Sequence, residues 1–248
     1  MRIVKVKRLY LSRIKRSGRN NQGKICVWHR GGGNKRHYSK VDYSKPILNV
    51  PGIVLDIFKD SNRSSNLSLI LYKNGVLSYN IAVEDLKEGM IIINGPLSNY
   101  NLGNCLPLRM FPIGTLVSHL ELQFGKGAQF LRGAGAFGQV LAKYNLIGNK
   151  ILVRLKSGEE YLFNCNNFAM VGIVSNMSWR FMKYRKAGHR RWLGFRPVVR
   201  GVAMNPIDHP HGGNTAGGRC SVSPFGKLTK GKKTRGKLNK KVIYKRRL

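Results

Sequence analysis

Between residues 52 and 93 the apolar positions come in short bursts: GIVLDIF over Gly52 to Phe58, LSLILY over Leu67 to Tyr72, VLSYNIAV over Val76 to Val83 and MIII over Met90 to Ile93. Short runs rich in Ile, Leu, Val and Tyr, with a period nearer two than 3.6, predict strands. Asn74-Gly75 separates the second burst from the third. That dipeptide accepts the positive φ angles of a tight turn, which predicts a hairpin at Tyr72 to Val76. A second set follows Pro112: TLVSHLEL, GQVLAKY, KILVRL, EYLFN and AMVGIVS, with Lys156-Ser157-Gly158 turning the third run into the fourth. Short strands joined by tight turns predict a small barrel. Leu97 to Phe111, containing Gly103 and Pro107 and flanked by Pro96 and Pro112, predicts a linker or crossover. One helix is predicted over Trp179 to Ala187, opened by Ser178 and stopped by Gly188, with Arg180, Lys183 and Lys186 on one face.

Charge divides the 248-residue chain differently. Residues 1–40 carry 13 Lys or Arg and no acid, while residues 41–178 carry 12 basic and 9 acidic residues. Residues 179–226 carry 9 bases against Asp208 alone, and residues 227–248 carry 11 with no acid. The near-neutral middle is the part expected to fold around its own apolar bursts. The flanking blocks contribute most of the formal charge of +35, whose self-repulsion needs a polyanion to neutralise it. Nucleic acid is the expected partner. No run approaches the roughly 18 apolar residues of a membrane span, so membrane insertion is not expected. The N-terminal MRIVKVKRLYLSRIKRS is basic and acid-free like an organelle transit peptide. It runs straight into GRNNQGK without a cleavage region, and is expected to belong to the mature protein. Cys26, Cys105, Cys165 and Cys220 are too dispersed for a metal knuckle or a disulfide framework, and Cys105 and Cys165 are expected to be small buried hydrophobes.

Several segments carry candidate chemistry. Gly133 to Gly138 spells GAGAFG, and Glu159 and Glu160 follow at about the spacing of a dinucleotide fingerprint. The residues after it read as a strand, whereas a pyrophosphate site needs a helix there, so the match predicts no cofactor. His29 to Tyr38, HRGGGNKRHY, pairs three glycines with dense cations, a combination that lets backbone and Arg or Lys approach phosphates. WRFMKYRKAGHRRWLGFRP, Trp179 to Pro197, interleaves Trp179, Phe181, Tyr184, Trp192 and Phe195 with cations. Aromatic platforms between cations suit unstacked bases and backbone, although some of these rings must instead pack. Met204 to Asn214, MNPIDHPHGGN, places His209 and His211 beside Asp208 on a loop stiffened by Pro206 and Pro210. Two imidazoles and a carboxylate permit proton transfer or metal binding, but neither a third ligand nor a nucleophile is nearby, and an RNA-contact loop is expected.

Five segments in order resemble the ribosomal protein L2 family: GRNNQGKI (Gly18 to Ile25), RGGGNK (Arg30 to Lys35), GFRPVVRG (Gly194 to Gly201), MNPIDHPHGG (Met204 to Gly213) and KGKKTR (Lys230 to Arg235). MNPIDHPHGG is the most specific. The resemblance covers nearly the whole chain and implies a mostly β protein, an OB-fold followed by an SH3-like barrel with long basic N- and C-terminal extensions. The expected divisions are 1–34 for the N-terminal extension, 35–105 for the OB-fold-like domain, 106–178 for the SH3-like barrel and 179–248 for the C-terminal helix, loop and extension. Two departures stand out. Asn34 occupies the place of a histidine in the usual GGGHK, so that position cannot become cationic, and the N-terminal extension is shorter than is common.

The implied function is a structural constituent of the large ribosomal subunit and not an enzyme. It would bind large-subunit rRNA near the peptidyl transferase centre, support assembly and subunit association, and touch neighbouring ribosomal proteins and the small subunit. No cofactor is implied beyond Mg2+ associated with the rRNA. The expected RNA-binding residues are Arg19, Asn20 and Lys24; then Arg30, Gly31, Gly32, Gly33, Asn34, Lys35 and Arg36; then Arg132 in the middle. In the C-terminal third they are Arg180, Arg190, Arg191, Trp192, Arg196 and Arg200, followed by Asn205, Asp208, His209, His211 and Gly212, and by Arg219, Lys230, Lys232, Lys233 and Arg235. Abundant Asn, Ile and Lys suit AT-rich organelle coding and favour a mitochondrial ribosome over a plastid or bacterial one. Two other functions fit parts of the pattern: a DNA-compacting architectural protein, which charge alone permits, and a ribonuclease or acyltransferase using Asp208, His209 and His211.

Overall fold

A computed structural model of the chain describes residues 6–12, 14–144, 148–213, 220–231 and 243–245. The chain forms two compact units: residues 1–13, 36–183 and 241–248 make the first, and residues 14–35 with 184–240 make the second.

The first unit is mostly β. Strands β1 (Tyr10–Ser12) and β2 (His37–Ser39) pair antiparallel, so part of the expected N-terminal extension is strand. The apolar bursts of the first set become β3 (Pro51–Lys59), β4 (Asn66–Tyr72), β5 (Leu77–Ile81) and β6 (Ile91–Ile93). They form an antiparallel sheet in the order β5-β4-β3-β6. The turn between β4 and β5 falls at Asn74-Gly75, where Gly75 alone of the pair takes a positive φ, 79°. Its N–H donates to the Tyr72 carbonyl at 2.8 Å, and the Asn74 side-chain oxygen accepts the Val76 N–H at 3.2 Å.

The rest of this unit builds a larger sheet. Its strands are β7 (Cys105–Pro107), β8 (Leu116–Ser118), β11 (Gly138–Tyr144), β12 (Lys150–Leu155), β13 (Glu160–Asn164), β14 (Phe168–Val171) and β15 (Ile243–Lys245), in the order β15-β13-β12-β11-β8-β14-β7. A separate pair joins β9 (Leu120–Glu121) to β10 (Ala128–Phe130). Two expectations are corrected here. Leu97 to Phe111 is not all linker: Cys105 to Pro107 lies opposite Met170 to Phe168 as a sheet edge. TLVSHLEL is not one strand either, because His119 adopts a left-handed backbone, φ 49°, with its N–H on the Leu131 carbonyl.

Three apolar clusters hold this unit together. One gathers Phe111, Val117, Leu120, Val140, Val153, Tyr161 and Phe163; a second Val54, Ile70, Tyr72 and Ile92; a third Phe58, Leu67, Leu69 and Tyr79. Fully burying side chains of this size contributes about 1.5–3 kcal/mol each, which is ample for a self-sustaining core.

The second unit has no such core. Among its described residues no hydrophobic side chain is buried, and His209 is its one buried residue. Among the described residues its only α-helix, α1, is Gly188–Trp192, and Gly201–Ala203 is a 3-10 turn. The expected helix over Trp179 to Ala187 is therefore displaced: Met177–Phe181 is a 3-10 turn, and Gly188 starts the helix instead of stopping the earlier one. Arg180, Lys183 and Lys186 would stack like charges at three-residue spacing with no acid among them, which disfavours a continuous helix.

Candidate nucleic-acid interface

In the second unit, residues 17–35 and 188–197 are joined through backbone. Arg30 forms an antiparallel bridge with Phe195. The Gly31 N–H donates to the Gly194 carbonyl at 3.0 Å, the Arg196 N–H to the His29 carbonyl at 3.0 Å and the Asn34 N–H to the Trp192 carbonyl at 3.0 Å. Gly33 is needed at the closest approach. Its φ is 78°, and a β-carbon there would stand 2.7 Å from the Trp192 carbonyl oxygen. The Lys15 ammonium donates to the Gly33 carbonyl. Glycines in HRGGGNK thus let two backbones touch, and Gly32 remains in open space at φ 63°. The side chains of Asn34 and Lys35 stay exposed.

Cations and rings are arranged on this frame. The Arg30 guanidinium lies 4.4 Å from the Phe195 ring centre and that of Arg190 5.5 Å from it. Lys186 sits 5.4 Å from the Trp192 ring, while Tyr184, His189 and Trp192 follow one another at 4.8 and 6.0 Å. Trp192 is 46% exposed, so a face remains for stacking. Arg19, Arg30 and Arg196 line one cleft with Trp28 and His29. Exposed too are Arg191, Arg200, Lys24 and Lys230. Asn20 acts within the protein: its side-chain oxygen accepts the N–H groups of Gln22 (3.0 Å) and Lys24 (2.9 Å), which ties the turn of GRNNQGK and leaves that oxygen little for RNA.

The MNPIDHPHGG loop is held as tightly. The His209 ring packs on Gly201, where a β-carbon would fall 2.6 Å from Nδ1. That same Nδ1 accepts the His211 N–H at 3.0 Å, so its lone pair is committed and the ring proton belongs on Nε2. His211 Nε2 lies 3.0 Å from the Cys220 carbonyl and 3.2 Å from the Val222 N–H, one of which it can satisfy in each tautomer. Asn205 accepts the N–H groups of Asp208 and His209 through its carbonyl, and Gly212 presses on that carbonyl so closely that a β-carbon would lie 2.1 Å from it. Asp208 is exposed, and among the described residues it makes no ion pair with either imidazole. A relay from Asp208 through His209 is not built.

In the first unit Arg36 donates to the Ser61 carbonyl at 2.9 Å, Arg132 lies over Tyr43 at 5.0 Å, and Arg180 over Phe181 at 4.5 Å. Gly133 to Gly138 leads into β11 and not into a helix, so no helix terminus faces the glycines. Cys105 is buried and its thiol is pushed up to about 12, while burial pulls the Lys45 ammonium down to about 8; neither reaches solvent. Cys165 is half-buried. Arg219, Lys232, Lys233 and Arg235 lie outside the described residues. The alternation of rings and cations singled out Phe195 without deciding between packing and stacking, and the structure sets its ring under Arg30 and Arg190. Sequence reasoning missed Lys15, which had no signal, since its role depends on where Gly33 folds back.

A basic unit without a buried hydrophobic side chain among its described residues, and a β unit with its own core, together define the class of structural RNA-binding proteins. Family models place it more narrowly. Residues 6–94 match the ribosomal protein L2 RNA-binding N-terminal domain, and residues 101–236 the ribosomal protein L2 C-terminal domain. The chain is similar to the large ribosomal subunit protein uL2m of Reclinomonas americana, with 44% identity over 243 residues, covering 96% of this chain and 87% of that protein. The chain belongs to the ribosomal protein L2 family, whose members are structural proteins and not enzymes.

Proposed function

We propose that this protein is a structural constituent of the large subunit of a mitochondrial ribosome, where it binds large-subunit rRNA near the peptidyl transferase centre and supports assembly and subunit association. The observation that carries this reading is the second unit. It has six Lys or Arg in residues 14–35 and fourteen in 184–240 against Asp208 alone, and no buried hydrophobic side chain among its described residues. Backbone bonds and cation–ring contacts shape it, and phosphate is the partner that neutralises it. The similarity to uL2m supports the mitochondrial setting. In this reading the four-stranded sheet is the OB-fold-like part and the larger sheet the SH3-like part, with approximate divisions at 34, 105 and 178. The MNPIDHPHGG loop is a placement element, and the contact with the small subunit belongs to the C-terminal third.

The test is sedimentation of the tagged protein from a mitochondrial extract with and without ribonuclease. Cosedimentation with the large subunit that collapses on ribonuclease treatment is expected. Cosedimentation with DNA that survives ribonuclease would support the DNA-compacting alternative instead.

A further inference from the structure

Within the second unit, one wall of the cleft shared by Arg19, Arg30 and Arg196 is a tight reversal of the chain. The Gly18 carbonyl accepts the N–H groups of Cys26 (2.9 Å) and Val27 (3.0 Å), and Arg19 forms an antiparallel bridge with Ile25. A β-carbon on Gly18 would stand 2.1 Å from the Val27 carbonyl oxygen, so the reversal closes this tightly only with glycine there. Arg196 and Pro197 also line the cleft, pinned by the bond from the Arg196 N–H to the His29 carbonyl. The aliphatic stem of Arg196 lies against Gly31, where a β-carbon would be 3.3 Å from its Cδ. Backbone contacts thus hold the cleft open in a defined shape. Its volume is about 320 Å³. That lies at the lower end of the range of roughly 300–1,000 Å³ for clefts that hold small ligands, a size for one nucleotide and not for a duplex.

The lining joins two kinds of chemistry. Three arginines stand around the cleft, and among the described residues no carboxylate does. One Arg19 N–H is bound to the Gly23 carbonyl at 2.8 Å and Arg30 lies on the Phe195 ring, but a guanidinium has several donors, so others remain for phosphate. Ile25, Val27 and Trp28 add an apolar side, and Trp28 is 46% exposed. His29 Nδ1 lies 2.9 Å from the Pro197 carbonyl, which can only accept, so Nδ1 carries the ring proton and Nε2 is left as an acceptor. An acceptor can read a base edge and offers nothing to a phosphate. A free phosphate has no use for the apolar side, and an acidic peptide none for a flat ring. A base next to its own phosphates uses all of these groups.

We propose that this cleft takes one unpaired nucleotide swung out of the rRNA, with its base on Trp28 and its flanking phosphates on Arg19, Arg30 and Arg196. The inference rests on the RNA-binding reading of the chain and names the form of RNA that this cleft takes.

The test is ultraviolet cross-linking in purified particles, followed by mass spectrometry of the peptide that contains Trp28. The expected product is that peptide carrying a single nucleotide whose base is unpaired. In Trp28→Ala particles the same base should react faster with dimethyl sulfate or a carbodiimide, on the order of tenfold after normalising to the amount of this protein present, because a base–aromatic stack is lost. Trp28→Phe keeps a ring and should restore the protection. Arg196→Gln leaves the ring in place and should expose the same base, a second readout that does not depend on assembly of the alanine variant. Attachment to a paired nucleotide, to a peptide of another protein or to nothing overturns the proposal, and so does a reactivity profile indifferent to the Trp28 and Arg196 variants. Absence of the chain from the particle, or sedimentation with DNA, would instead bring down the RNA-binding reading and the proposal with it.

Discussion

His209 accepts the backbone N–H of His211 through Nδ1 at 3.0 Å, so the two imidazoles of MNPIDHPHGG have unequal roles. His209 is buried against Gly201 and shapes the loop, while His211 is partly exposed and reaches the Cys220 and Val222 backbone. His209→Ala should therefore remove the packing under Gly201 and a hydrogen-bond acceptor together, a loss on the order of 2 kcal/mol to the loop. Raised protease cleavage within 200–213 and reduced incorporation are the expected readouts. His211→Gln keeps a hydrogen-bonding side chain and should assemble with nearly native peptidyl transfer. A fall on the order of a hundredfold in peptide-bond rate in fully assembled His211→Gln particles would place this residue in the chemistry.

Gly33→Ala and Gly212→Ala test close backbone approach. Both put a β-carbon against a carbonyl, of Trp192 in one case and of Asn205 in the other, and Gly33 adds an unfavourable φ. Gly32→Ala meets open space and bears only the cost of its left-handed φ, about 1–2 kcal/mol. Incorporation should fall steeply for the first two and little for the third. Equal tolerance of all three would mean that the segments around Gly33 and Trp192 do not meet.

Affinity for rRNA should fall steeply between about 50 and 200 mM salt, because each phosphate neutralised by a cation releases counterions. Removing Lys227 to Leu248 should weaken binding and flatten that slope. The β unit should survive the truncation: β15 is an edge strand that pairs with β13 alone, and β13 keeps its pairing with β12. Loss of the β-type circular dichroism signal would show that the edge is essential.

The parts legible in the sequence were those written in local pattern. GQVLAKY, KILVRL and EYLFN became β11, β12 and β13 with the expected limits, because period-two burial and turn residues are local properties. The Asn74-Gly75 turn was legible for the same reason. The MNPIDHPHGG and HRGGGNK loops were legible as sites but not as structures. In HRGGGNK, which glycine meets which carbonyl depends on residues about 160 positions away, as Gly33 and Trp192 show, and in MNPIDHPHGG the contact of Gly212 with the Asn205 carbonyl depends on how the loop closes on itself. The helix over Trp179 to Ala187 failed because capping residues were weighed without the repulsion among its cations. The β7 edge was hidden because Cys105 to Pro107 is too short to carry a period.

A last prediction concerns pH and the first unit. His119, at the kink between β8 and β9, is buried, with Ser118 Oγ 3.1 Å from its Nδ1. Burial first, and then the positive charges of Lys45 and Arg132, pull its pKa from the ordinary 6.5 down to about 3. The folded protein holds this ring neutral, whereas the unfolded chain takes up a proton near pH 6.5. Its contribution is thus fully present above pH 6.5 and is lost progressively as the pH falls towards 3, for a total on the order of a few kcal/mol. His119→Asn removes the titrating group and keeps a residue type that tolerates the left-handed backbone. The urea midpoint of the native chain should drop more steeply than that of the variant between pH 7 and 4.5, because carboxylate contributions are common to both and cancel in the difference. Parallel pH profiles, whatever the offset between them, would show that His119 is not the group that makes the β unit acid-sensitive.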